Sequence, residues 1–89
     1  MRLLAFRKRL LRLTDRKENM EIRIKDEYIK LGQALKLASL VGSGVEAKFV
    51  IEEGSVLVNG EVETRRGKKL RDGDVVSFQG ESFTVRSDA

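Results

Sequence analysis

Eighty-nine residues suffice for one small domain, and a chain of this size buries only roughly 60% of its unfolded surface, which argues against a deep active-site cavity. The sequence has neither cysteine nor histidine, so disulfides, thiolate nucleophiles, thiolate metal sites and the commonest general base at neutral pH are excluded. The formal charge is +4, yet residues 1–19 hold seven cations against two acids, which leaves residues 20–89 at −1.

In chain order, Leu3, Phe6, Leu10 and Leu13 recur at helical spacing with Arg2, Arg9, Arg12 and Arg16 on other sides, which predicts a basic amphipathic helix. Arg7, Lys8 and Arg9 interrupt the apolar start, so a secretory signal is not expected. No window approaches the roughly 18 apolar residues of a membrane span, and the reading is a soluble cytoplasmic protein. TDRKENM breaks the helical pattern, dividing an extension, residues 1–19, from a domain, residues 20–89. The extension has three readings: an RNA or protein contact, which is favoured, a helix on an anionic membrane, or a stretch upstream of a natural start at Met20.

EIRI alternates as a short strand would. Leu31, Ala34, Leu35, Ala38 and Val41 then follow the 3.6-residue period, predicting a first helix over 31–41 with Gly42 as its left-handed cap. Ser43 to Glu46 reads as a capping box opening a second helix over 44–53, closed by Gly54. Its stripe is Ala47, Val50 and Ile51, with Val45 and Phe49 beside it, and Phe49, Phe78 and Phe83 are assigned to the core. Joined by little more than Gly42 and Ser43, the two helices must turn sharply, as in a helix-turn-helix.

In VLVNGEVE, Asn59 and Gly60 suit a two-residue type I′ hairpin, which needs positive φ at both central residues. RDGD is a turn, and VVSFQ and SFTVR return on either side of Gly80. The fold class is therefore α+β: two short helices packed on a small antiparallel β-meander. Between hairpin and turn stand Arg65, Arg66, Lys68, Lys69 and Arg71, five cations in seven residues, read as carried on a basic hairpin. If all five met phosphates, log K would fall against log salt with a slope of roughly −3 to −4. The plain alternative is a solvated hairpin whose cations answer neighbouring carboxylates. Tyr28 is assigned to packing at a strand end, and exposed aromatics on which single-stranded bases could stack are scarce.

The order of two helices, EEGSVLVNG, a basic stretch and DGDVV resembles the RNA-binding domain named after small-subunit ribosomal protein S-four, over about residues 28–85. YIKLGQALKLASLVGSGVEAKFVIEEGSVLVNG is similar to its small stand-alone YaaA/YbcJ-like members. The resemblance implies an αL-type fold that binds structured RNA without catalysis, ribosomal RNA or an assembling large subunit being the suggested target. It places RNA-facing residues at Lys30, Ser43 and Lys48 and on the basic stretch, and Lys36 joins them as a helix-surface lysine. Many relatives have an arginine directly after the serine, where this chain has Gly44.

No cofactor, metal or small-molecule substrate is expected, and a monomer is. The competing class is a small β-rich interaction or carrier module; such carriers use a terminal diglycine, whereas the sequence ends RSDA. Catalysis is not expected either. Glu52 and Glu53 are adjacent, so on a helix their side chains diverge by about 100° and cannot face one substrate.

Overall fold

A computed structural model describes residues 20–89. The basic amphipathic helix expected over 1–19 lies outside the described residues. The elements are β1 (Met20–Ile24), β2 (Ile29–Lys30), α1 (Leu31–Leu37), α2 (Gly44–Glu52), β3 (Val56–Val58), β4 (Glu61–Val62), β5 (Lys69–Leu70), β6 (Val75–Phe78) and β7 (Glu81–Ser87).

The helices follow their caps. α1 ends at Leu37, four residues before the periodicity suggests, because Ser39 rather than Gly42 takes the left-handed conformation, with φ 61°. The Ser39 amide donates to the Lys36 carbonyl at 2.9 Å and the Leu40 amide to the Leu35 carbonyl at 3.0 Å, a Schellman closure that satisfies the orphan carbonyls. Ala38 and Val41 remain buried although they lie beyond the helix. Apolar spacing marked the buried face but not the helix end, and the connection spans residues 38–43 rather than two residues.

α2 starts as its capping box predicts. The Ser43 hydroxyl accepts from the Glu46 amide at 3.1 Å, while the Glu46 carboxylate accepts from the Gly42 amide at 2.8 Å. At its far end Gly54, φ 88°, closes a second Schellman motif through Gly54 to Ile51 and Ser55 to Val50 bonds. Ala47, Val50 and Ile51 are buried, but Phe49 is 66% exposed and Val45 79%, which corrects the assignment of Phe49 to the core. At 100° per residue, Phe49 projects away from the Ala47, Val50 and Ile51 stripe and shares the solvent side with Val45.

The sheet corrects the expected meander. It has five strands in the order β1-β7-β6-β3-β4, antiparallel except for β1, which runs parallel to β7 with Ile22 opposite Val85. A strand from the far end of the sequence can join parallel because the whole helical unit forms the crossover between them. Asn59 and Gly60 make the positive-φ hairpin between β3 and β4. The Asn59 side chain accepts from the Val75 amide at 3.0 Å and donates to Asp74 at 3.1 Å, tying this turn to the RDGD turn.

One sheet face is apolar: Val56 opposite Phe78, Val58 opposite Val76, Val76 opposite Phe83, and Val85 opposite Ile22. Against it pack Leu31, Ala34 and Leu35 of α1 and Ala47, Val50 and Ile51 of α2 in one core cluster. No buried side-chain nitrogen or oxygen among the described residues lacks a hydrogen-bond partner.

Candidate nucleic-acid interface

The basic stretch does not lie on a hairpin of the main sheet. After β4 the chain leaves that sheet, and Lys69–Leu70 forms β5, which pairs antiparallel with β2 in a separate two-stranded ribbon. Leu70 is fully buried and anchors the ribbon in the core. Because side chains alternate along a strand, Lys69 and Arg71 then face outward.

Backbone bonds fix the loop that precedes β5. α1 has no side-chain cap; instead the Leu31 amide donates to the Lys68 carbonyl at 2.8 Å and the Gly32 amide to the Arg66 carbonyl at 3.0 Å. The first free amides of a helix are thus satisfied by the basic loop, in which Arg65 and Arg66 are exposed and Lys68 is half-buried. The approach does not require a glycine: a Cβ at position 32 would stand 3.7 Å from both Arg66 Cβ and Arg66 O, an ordinary packing contact. Arg65, Gly67, Lys68, Lys69 and Arg71 line one open concavity.

The five cations are not equivalent. Arg65 Nε donates to Glu63 Oε2 at 2.9 Å, with its backbone amide on the same oxygen at 3.0 Å, so this cation is answered by a carboxylate as the solvated reading supposes. The side-chain hydrogen bond from Arg65 holds the Glu63 carboxyl below the ordinary value of 4.5, and Glu63 in turn raises the Arg65 guanidinium. Among the described residues no carboxylate forms an ion pair with Arg66, Lys68, Lys69 or Arg71, although the Lys68 charge also helps to lower the Glu63 carboxyl.

The register adds a residue from far upstream. Lys30, in β2, stands directly opposite Lys69. Tyr28 precedes the ribbon, is exposed rather than packed, and lies beneath two cations: Lys69 Nζ is 4.7 Å and Arg71 Cζ 5.6 Å from the ring centroid. Its spacing of two from Lys30 was the signal available in the sequence, since alternate residues of a strand share a face. Lys36 and Lys48 are exposed on α1 and α2 and outside this ribbon. Ser43 is engaged in its cap, and the Glu46 carboxylate accepts from the Gly42 amide just ahead of α2.

Residues 22–86 match the model of the S4 domain. The chain belongs to the S4 domain family. A Bacillus subtilis (strain 168) protein carrying the name "Probable ribosome maturation protein RlbA" is 52% identical over 59 residues, 66% of this chain and 83% of that one. YbcJ of Escherichia coli (strain K12), named as a candidate RNA-binding protein, is 44% identical over 61 residues, 68% of this chain and 87% of its own. The solution structure of Escherichia coli YbcJ, described as revealing an αL motif involved in RNA binding, matches with a TM-score of 0.61 at 41% identity, covering 78% of this chain and 90% of that one. This S4-type, YbcJ-like chain thus has the α+β architecture of that neighbour: two helices and a mixed sheet. Among the described residues no group of acidic side chains could hold a metal ion, and no helix is long and apolar enough to cross a membrane.

Proposed function

We propose that this S4-family protein binds structured RNA without catalysing a reaction, and that its target is ribosomal RNA or an assembling ribosomal large subunit. One observation carries the reading. The Arg66 and Lys68 carbonyls are pinned to the start of α1, so the basic stretch is a fixed backbone arc that turns its unpaired cations outward. A fixed arc loses less conformational entropy on meeting a phosphate chain than a free loop would. The names of the relatives, one a ribosome maturation protein and one an RNA-binding protein, support the same target class.

In this reading Arg66, Lys68, Lys69, Arg71 and Lys30 contact phosphates, with Arg65 available once it exchanges Glu63 for a phosphate. Lys36, Lys48 and Ser43 supply the outer part of the interface. Phosphate contacts of this kind position RNA and carry little base information, so specificity comes from the shape of the folded RNA.

RNA pulldown with sequencing from cells tests it, comparing wild type with a variant in which Arg65, Arg66, Lys68, Lys69 and Arg71 are all glutamine. We expect enrichment of one ribosomal RNA region by the wild type and its loss in the variant, with the circular dichroism spectrum unchanged. Equal recovery by both proteins would remove the basic stretch from the interface.

A further inference from the structure

The two-stranded ribbon brings together groups that repel one another. Lys30 and Lys69 are directly opposite in an antiparallel pair, an arrangement of like charges that costs stability, and neither forms an ion pair with a carboxylate among the described residues. With Ile29 and Leu70 turned toward the core, alternation puts Tyr28, Lys30, Lys69 and Arg71 on the outer face. Two of these cations lie over the Tyr28 ring, at 4.7 Å and 5.6 Å from its centroid, within reach of cation–π attraction.

We propose that Tyr28, Lys30, Lys69 and Arg71 form a preorganised phosphate site on the outer face of the β2–β5 ribbon, with Tyr28 as its positioning residue. The proposal rests on the RNA-binding reading and deepens it. The ring's negative face draws Lys69 and Arg71 over it, and their rotamers are restricted before the ligand arrives. A phosphate oxyanion entering beside them also screens the Lys30–Lys69 repulsion, so binding relieves a cost already present in the free protein. Tyr28 contributes no charge of its own. Its removal therefore weakens binding without changing the number of phosphates contacted, whereas removal of the cations changes both.

The chain has one tyrosine and no tryptophan, so its intrinsic fluorescence reports on Tyr28 alone. Two titrations of the full chain follow. In the first, inorganic polyphosphate, which carries phosphate charge and no bases, is added to the wild type and to a Lys69→Gln, Arg71→Gln variant while tyrosine emission is followed. A saturable change in the wild type and none in the variant is expected; identical responses overturn the site.

In the second, purified ribosomal RNA is titrated at several salt concentrations against the wild type, Tyr28→Phe and Tyr28→Leu. Tyr28→Phe should bind as the wild type does, and Tyr28→Leu roughly three- to tenfold more weakly with the same salt slope. The Lys69→Gln, Arg71→Gln variant should flatten the slope by roughly 1.5. Unchanged affinity in Tyr28→Leu, or a loss in Tyr28→Phe, overturns the positioning role. Absence of ribosomal RNA binding by the wild type removes the RNA reading instead, and the polyphosphate titration then still judges the ribbon as an anion site.

Discussion

Ser39 is the residue at which local chemistry and backbone demand disagree. It holds φ 61° at the end of α1, where glycine carries no Cβ penalty. Ser39→Gly should therefore stabilise the protein by roughly 0.5–1 kcal/mol, read as a higher thermal midpoint. Glu63 acts in the opposite sense, as a restraint on function. Its carboxyl is held below the ordinary 4.5, chiefly by the Arg65 hydrogen bond, so the folded state releases this proton more readily than the unfolded one. The stability it contributes is present above pH 4.5 and disappears as pH falls through the depressed folded value, a trend that Glu63→Gln should abolish in acid unfolding curves. The same substitution spares Arg65 the exchange of Glu63 for a phosphate and should strengthen RNA binding, read as a lower Kd at fixed salt.

At the scale of the element, α2 separates packing from exposure within three residues. Ile51 is fully buried and Phe49 is 66% exposed. Ile51→Ala should cost roughly 2–5 kcal/mol in denaturant unfolding, while Phe49→Ser should change stability by about 0.5 kcal/mol or less. The ribbon is the other informative element. Only two residues long in each strand, it has little stability alone, and its position depends on Leu70 and on the loop carbonyls bonded to α1. An element held this way transmits damage: Leu70→Ala opens a cavity beneath it and should lower RNA affinity as well as stability, although Leu70 touches no solvent.

For the whole molecule, the parallel pairing of β1 with β7 closes the sheet across nearly the full length of the described chain. Every core residue described lies at Ile22 or later. A variant lacking residues 1–24 loses Ile22 and Ile24 from that core and should lose the single cooperative unfolding transition of the full chain, read by thermal or denaturant unfolding. Charge is distributed at this scale too. Residues 20–89 carry a net −1, yet their basic stretch is gathered on one arc and ribbon, so the local charge there is opposite in sign to the total.

Much of this was legible in the sequence because it depends on neighbours a few residues apart. The capping box at Ser43, the Gly54 closure, the Asn59–Gly60 hairpin, the buried stripe of α2 and the cluster of five cations all follow from local φ, hydrogen-bonding and periodicity rules, and EEGSVLVNG with DGDVV carried the family resemblance. The end of α1 was not legible, because serine and glycine can both enter the left-handed region and apolar spacing continues past the cap. Nor was the parallel β1–β7 pair, the exposure of Phe49, or the meeting of Tyr28 and Lys30 with Lys69 and Arg71. Those depend on which segments pair across forty to sixty residues and on which side of a helix finds the core. Long-range register and burial of that kind are decided by how the whole apolar surface closes, and only the tertiary structure contains that information.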